Sequence, residues 1–469
     1  MTFGTAADGD PSGAPDGPAT ITPAGRIRGE LRLPGDKSIA HRALLVDALS
    51  AGEASVTIPA PGADVRSTAG AIQALGGLLA GEVLPDGRLR YRVRGGGTPD
   101  SARLPGTGGE VLDCGNSGTS MRLLHGALAG RDAEATLVGD ASLTQRPMER
   151  VATPLRRMGV TVETTDGHAP VRIRGGRGLA ALQHELPVAS AQVLGAVTLA
   201  ALAADGETTV TVPGPTRDHT ERLLGWLGVP VTRTGPTTRI VGPAGFRARD
   251  IDVPGDISSA AFWLAAGAIH PDADLRIRAV GLNPSRMGVV EVLREMGADI
   301  EVLEGDPSGP EPVGDLVVRG GAPLRGLRIE GARTADLIDE LPMLAVVMAA
   351  ATGPSEVRDA GELRVKESDR IALVVAGLRA IGVETEELPD GWRVTPAPGR
   401  RRPVEALIET HGDHRIAMAF AIAAATGVAE GVVIDDPTCA SVSYATFWTD
   451  LASVTDSPAA PATALAAAR

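Results

Sequence analysis

Leu33-Pro-Gly-Asp-Lys-Ser38 and Val253-Pro-Gly-Asp-Ile-Ser258 are two versions of one phrase, and each runs directly into an apolar segment. In both, a short extended run turns at Pro-Gly, an aspartate supplies a helix cap, and a helix rich in Ala and Leu follows, over 40–49 and 260–268. Four other openings share the design: Asp113-Cys-Gly-Asn-Ser-Gly-Thr119, Leu186-Pro-Val-Ala-Ser-Ala-Gln192, Thr334-Ala-Asp-Leu-Ile-Asp339 and Thr410-His-Gly-Asp-His-Arg415, the last leading into a helix over 416–425. The chain is therefore one unit of roughly 65–80 residues written six times.

Working outward from each opening, the helix is followed by a β-type stretch, as at 54–58, 208–212 and 431–434. A second, amphipathic helix then ends in glycine, as at 148–159, 220–228, 287–297 and 368–382, where a left-handed stop suits glycine. Repeated strand–helix–strand–helix order predicts an α/β protein of packed layers. The close echo of the first opening by the fourth favours two similar globular halves, each of three α/β repeats. The boundaries expected are 36–253 for the first half and 21–35 plus 254–455 for the second. Residues 1–20, rich in Gly, Pro, Asp and Ala, read as a disordered leader, and the Ala/Pro-rich stretch 456–469 as a loose tail.

Composition narrows the function. The chain has 469 residues, a formal net charge of −13 and 2% aromatic side chains. That length fits two or three domains. The acidic balance and the lack of aromatic stacking platforms exclude a nucleic-acid surface. No apolar run is long enough for a membrane helix, and no export signal precedes the first strand. Two cysteines, Cys114 and Cys439, make neither a disulfide framework nor a zinc site, so a reducing cytoplasm is expected. His411 and His414 lack a third partner, so no metal is expected. Most informative is lysine: the 45 basic residues are 43 arginines and two lysines, Lys37 and Lys366. An ammonium is a point charge whose pKa moves, which a guanidinium is not.

Both lysines lie in openings or charged turns, together with other candidate groups. Helix N-termini favour anions, although Asp, Ser and Asn also occur there simply as caps. Lys37 falls in a first helical turn, where a cation opposes the dipole unless an anion is held nearby, with Ser38 and Arg42 on one face. Asp36 in place of the glycine before the lysine excludes a P-loop. Gly115-Asn-Ser-Gly118-Thr119 with Arg122 admits a ligand close to the backbone. Arg146 precedes a helix start, and Ser190 and Gln192 offer donors to a polyhydroxylated ligand. Asp339, at the edge of an apolar helix, reads either as a cap or as a general base with a raised pKa. Lys366, Glu367 and Arg370 form a dense charge run, and Asp413-His-Arg415 opens the sixth helix.

Pro34-Gly-Asp-Lys-Ser38 with Arg42, Gly115-Asn-Ser-Gly-Thr-Ser-Met-Arg122, Ser190-Ala-Gln192, Arg364-Val-Lys-Glu-Ser-Asp-Arg370 and Gly412-Asp-His-Arg415 together resemble the 3-phosphoshikimate 1-carboxyvinyltransferase (EPSP synthase) family, over about 21–451. The resemblance implies helix N-termini facing an interdomain cleft, and transfer of the enolpyruvyl group of phosphoenolpyruvate to shikimate 3-phosphate without a cofactor, by a monomer. It implies that Lys37, Ser38, Arg42, Ser190, Gln192, Asp339 and Lys366 hold shikimate 3-phosphate, with Arg217 near its phosphate. It further implies that Lys37, Gly118, Arg146, Gln192, Arg370 and Arg415 hold phosphoenolpyruvate, and that Asp339, Glu367 and Lys37 handle protons. Two positions depart from the family pattern: Val442 stands where many relatives carry a lysine, and Glu362 where some carry asparagine. The rival readings are UDP-N-acetylglucosamine enolpyruvyl transferase, whose loop cysteine Cys114 does not match, and a non-catalytic organic-phosphate-binding repeat protein.

Overall fold

The computed structural model describes residues 14–15, 17–305, 309–396, 405–457 and 459–461. Most of the expected leader and tail lie outside these residues. Where they are described, both expectations need correction: Ala19–Ile21 is a strand paired with Val432–Ile434, and Ala460–Pro461 pairs with it from the other side. Asp456 accepts a hydrogen bond from the Gly25 amide at 2.8 Å.

Six sheets organise the described residues. Each repeat carries more than strand–helix–strand–helix, because most add two further antiparallel strands, as Leu78–Val83 and Leu89–Arg94 do in the first. The run Leu89-Arg-Tyr-Arg-Val-Arg94 shows why these strands form. Tyr91 and Val93 are buried, while Arg90, Arg92 and Arg94 point outward to Glu82 and Glu53 on neighbouring strands.

The chain crosses between two cores at the duplicated phrase. Strand β1 (Ile27–Arg32) runs parallel to β4 (Ala273–Gly281), while β3 (Ile251–Asp252) runs parallel to β2 (Glu53–Ile58). Each strand thus leads into the helix of one half while pairing in the sheet of the other. At the crossing, the Asp36 amide donates to Pro254 O at 2.8 Å and the Asp256 amide to Pro34 O at 2.9 Å. One apolar cluster extends from Ile39 to Val253; the other joins Ala19–Leu33 with Ile257–Val454.

Each core is built around three inner helices: α1 (Lys37–Leu49), α2 (Gly118–Leu128) and α3 (Ala191–Ala201) in the first, and α4 (Ile257–Ile269), α5 (Leu341–Ala350) and α6 (His414–Ala425) in the second. Nearly every residue of these helices past the first turn is buried, so their small side chains serve close packing rather than an amphipathic face. Gly126 shows the tightness: a Cβ there would lie 1.9 Å from Ala196 O. Side chains cap five of the six, Asp36 to Ile39 N, Ser117 to Ser120 N, Ser190 to Val193 N, Asp256 to Ser258 N and Asp413 to Arg415 N. The polar ends of the inner helices are thereby held towards one cleft.

Candidate active site

A cavity of about 170 Å³ is lined by the first turns of α1, α2, α3, α4 and α6 and by Asp339, just ahead of α5. Nine lysine or arginine side chains face it against four carboxylates, an inversion of the chain's overall negative charge. Such a cleft concentrates anions.

On the first-half wall, three arginines are held by neutral acceptors. Arg42 donates to Thr220 Oγ1 at 2.8 Å and to the carbonyls of Ser38 and Ala191 at 2.8 and 3.3 Å. Arg122 donates to Gln192 Oε1 at 2.7 Å, and Arg146 to Asn116 Oδ1 at 2.7 Å. Burial brings the pKa of both Arg42 and Arg122 down to about 10, which leaves them charged at neutral pH. Their charges are thus uncompensated by acids in direct contact. Lys37 is different, because its ammonium forms an ion pair with Asp64, which arrives from the outer helix Ala63–Ala74. The anion that offsets its position in the first turn is the protein's own.

On the second-half wall, cations and acids are interleaved. Arg370, 1% exposed, reaches Asp413 at 2.8 Å, Glu367 at 2.7 Å and Asp339 at 3.8 Å. Lys366 lies 3.4 Å from Glu362 and 3.7 Å from Asp339, and Arg415 donates to the Asp339 carbonyl at 2.6 Å. Arg286 sits among Glu340, Asp36 and Asp256 at 3.4 to 4.0 Å. From the first half, Arg217 bridges the cleft to Asp339 Oδ2 at 2.6 Å. His219 with Glu311 at 2.7 Å, and Asn283 with Asp218 at 2.8 Å, add two more contacts between halves.

These neighbours set the acid–base character. Burial pushes the Asp339 carboxyl up, but Lys366, Arg217, Arg415 and Arg370 outweigh it and hold it well below the usual range. The raised pKa expected from the apolar helix is therefore wrong, because four cations from three segments of the chain converge on one carboxylate. Glu367 behaves alike: burial is overcome chiefly by Arg370, giving about 2. His414 is pushed down to about 3 by burial, Arg415 and Arg370, and so stays neutral. No cluster of three metal-ligating side chains occurs among the described residues.

Of the residues singled out in the sequence, Lys37, Ser38, Arg42, Gly118, Arg146, Gln192, Arg217, Asp339, Lys366, Glu367, Arg370 and Arg415 all line the cavity. Ser190 is not among the lining residues, although its neighbours Ala191 and Gln192 are; its hydroxyl accepts from Val193 N at 3.4 Å as the cap of α3. Capping does not explain Asp339, since Glu340 holds the N-cap position and makes no side-chain cap bond. Val442 also faces the cavity, so the missing lysine leaves an apolar side chain there. Asp64, Ser259, Phe262, Arg286 and Ser443 line the cavity without having been singled out in the sequence, while Asn116, Thr119, Arg122, Asp256, Ser258 and His414 lie in quoted motifs but were given no ligand to hold. The echo of Asp36 by Asp256 could have revealed Asp256; Asp64 and Arg286 sit in no motif.

Comparison with known proteins agrees with this geometry. The family model for EPSP synthase (3-phosphoshikimate 1-carboxyvinyltransferase) matches residues 21–451. A 3-phosphoshikimate 1-carboxyvinyltransferase of Halorhodospira halophila is 49% identical over 86% of this chain and 88% of its own length. That of Gloeobacter violaceus is 48% identical over 93% and 98%. Among solved structures, the EPSP synthase of Acinetobacter baumannii superposes with a TM-score of 0.83 at 37% identity, covering 95% of this chain and 100% of that one. The enolpyruvyl transferase NikO from Streptomyces tendae shares the fold, with a TM-score of 0.72 at 20% identity over 96% of this chain and all of that one.

Proposed function

The chain belongs to the EPSP synthase (3-phosphoshikimate 1-carboxyvinyltransferase) family, and from that premise we propose which of its residues carry the reaction. The enzyme transfers the enolpyruvyl group of phosphoenolpyruvate to the 5-hydroxyl of shikimate 3-phosphate, releasing phosphate, in aromatic amino acid biosynthesis. That membership sets aside the UDP-N-acetylglucosamine and non-catalytic readings.

Lys37, Ser38, Arg42, Ser190, Gln192, Asp339 and Lys366 hold shikimate 3-phosphate, with Arg217 near its phosphate. Lys37, Gly118, Arg146, Gln192, Arg370 and Arg415 hold phosphoenolpyruvate. Ser190 also fixes the start of α3, which carries Gln192. Asp339 takes the proton of the 5-hydroxyl as that oxygen bonds to C2 of the enol, while the methylene carbon gains a proton from the Glu367 and Lys37 side. The tetrahedral ketal phosphate then loses that carbon's proton and the phosphate, which restores the double bond.

The observation that carries this reading is the convergence of Arg217, Lys366, Arg370 and Arg415 on Asp339. Without substrate, those cations make Asp339 a weak base. Each substrate anion that compensates some of these cations raises the proton affinity of Asp339, and the full rise comes with both bound, which ties proton transfer to a filled site. The Pro34–Asp36 and Pro254–Asp256 crossings serve as the hinge between halves that act as units, and a bound dianion favours the closed arrangement. Closure then expels water from around the enol. Free, buried Cys114 and Cys439 support a cytoplasmic setting, and a monomer is the working state. No helix among the described residues is long and apolar enough to cross a membrane.

The test is phosphate release from phosphoenolpyruvate with shikimate 3-phosphate, with UDP-N-acetylglucosamine, or with neither. Release with shikimate 3-phosphate alone is expected, and Asp339→Asn should reduce it at least about 100-fold. Release with the nucleotide sugar, or an active Asp339→Asn, contradicts the reading.

A further inference from the structure

Arg122 is a cavity-lining cation whose motif was visible in sequence but whose role the reaction outlined above does not specify. Its guanidinium donates to Gln192 Oε1 at 2.7 Å, and Gln192 Nε2 donates to Thr119 Oγ1 at 2.9 Å. A guanidinium has donors and no acceptor, so the atom facing it must be the amide oxygen. The amide nitrogen is thereby turned towards Thr119, and its second N–H is left to donate elsewhere. A glutamine without such a neighbour can present either its oxygen or its nitrogen to a ligand. With Arg122 beside it, the polarity is set.

The same guanidinium explains the glycine beneath it. A Cβ built on Gly118 would lie 2.9 Å from Arg122 Nη1 and 3.3 Å from Arg146 Nη1. The two arginines therefore cross over bare backbone, and a methyl group there would press on the flexible end of Arg122. Arg122 has no carboxylate in contact among the described residues, and burial together with repulsion from Arg146 and Arg150 lowers its pKa to about 10. It stays charged, beside Arg146 over Gly118, on the cavity wall.

We propose that Arg122 is a positioning residue for phosphoenolpyruvate: it fixes the Gln192 amide as a donor, and a side chain at position 118 acts on that substrate by shifting Arg122. This rests on the family-based assignment of Gln192 and Gly118 to that substrate. Arg122 acts through Gln192, so its loss and the loss of Gln192 overlap. Substitution at Gly118 acts through Arg122, so it harms less once Arg122 is gone.

The experiment is a pair of double-mutant cycles on the full chain, Arg122→Met with Gln192→Ala and Arg122→Met with Gly118→Ala. KM for phosphoenolpyruvate, kcat, calorimetric Kd for shikimate 3-phosphate and melting temperature are read for every variant. Arg122→Met should raise KM for phosphoenolpyruvate about 10- to 100-fold, as expected for losing a charged hydrogen bond, with a smaller fall in kcat. Arg122→Lys, also a pure donor, should recover most of that. Adding Gln192→Ala to Arg122→Met should cost less than about threefold more, and Gly118→Ala should lose most of its effect in that background. Full additivity in both cycles, or an unchanged KM in Arg122→Met, overturns the proposal. If Arg122→Met does not fold, the same cycles are run with Arg122→Ala, which also removes every donor, and additivity again overturns the proposal. Wild-type protein that turns over neither substrate contradicts the family-based reading instead. The Gln192 coupling is then read from calorimetric binding of phosphoenolpyruvate alone, with the same criterion of additivity.

Discussion

The two walls of the cleft use the same residue types in opposite ways. On the first-half wall Arg42, Arg122 and Arg146 lean on hydroxyls, amides and carbonyls, and keep their charge available. On the second-half wall Arg370, Lys366 and Arg286 are surrounded by Asp413, Glu367, Asp339, Glu362 and Glu340. A cation held by neutral groups is ready for an external anion. A cation locked to carboxylates instead tunes those carboxylates, as the depressed Asp339 and Glu367 show. The first wall offers cations free of carboxylates to an anion, whereas the second sets its substrate-holding cations among the carboxylates that they tune. The repeats are alike in fold, so the division comes from a few acidic side chains and not from architecture.

The largest expected effect breaks the second wall. Arg370→Met leaves Asp413, which is 0% exposed, without its cation, and should destabilise the protein by about 3–5 kcal/mol in urea unfolding. Arg146→Met on the first wall should change stability by less than about 1 kcal/mol. Equal losses would dissolve the distinction between the walls.

A second comparison uses the duplicated caps. Burial pushes both aspartates up, yet His219, Arg286 and Arg217 bring Asp36 below the ordinary value, whereas Asp256, with Asp36 as a neighbour, rises to about 6. Asp36 thus contributes stability that is present above the ordinary carboxylate range and lost as pH falls through its folded value. Asp256 contributes stability that is present below the ordinary value and lost as pH rises through about 6. At pH 7, Asp36→Asn should destabilise by about 1–3 kcal/mol, and Asp256→Asn should be neutral or stabilising. The gap should shrink at pH 4 in denaturant titrations. Identical pH profiles would refute the opposed roles.

The smallest effect is ionic. Arginines without carboxylate partners should lose affinity for a phosphate dianion as salt rises. Shikimate 3-phosphate binding should therefore weaken about tenfold between 0.05 and 0.5 M salt, while kcat at saturation changes less than about twofold. Salt-independent binding in calorimetry would place the phosphate away from the first wall.

The repeats and the cleft were legible because their signals are local. A cap residue, a Pro-Gly turn and a run of small apolar residues each act within a few positions, and Asp36, Ser117, Asp256 and Asp413 all cap as their sequence context suggests. The antiparallel pairs such as Leu78–Val83 with Leu89–Arg94 were missed, because their alternating arginines read as charge and not as strand. The exchange of β1 and β3 between halves is a matter of pairing partners, which periodicity does not encode. Asp64 and Arg286 reach the site from segments with no motif. The Asp339 carboxyl was misjudged for a similar reason: its local neighbour is an apolar helix, but Arg217, Lys366, Arg370 and Arg415 arrive from elsewhere in the chain.

The division of labour between the walls is tested most directly by measuring shikimate 3-phosphate Kd and single-turnover rate together in Arg42→Met and Asp339→Asn. Arg42→Met should weaken binding about 10- to 100-fold while the rate at saturation stays within about fivefold of wild type. Asp339→Asn should bind within about tenfold of wild type and lose at least about 100-fold in rate. If Arg42→Met lost rate at saturation and Asp339→Asn lost only affinity, the assignment of Arg42 on the first wall to anion binding and of Asp339 on the second to proton transfer would be contradicted.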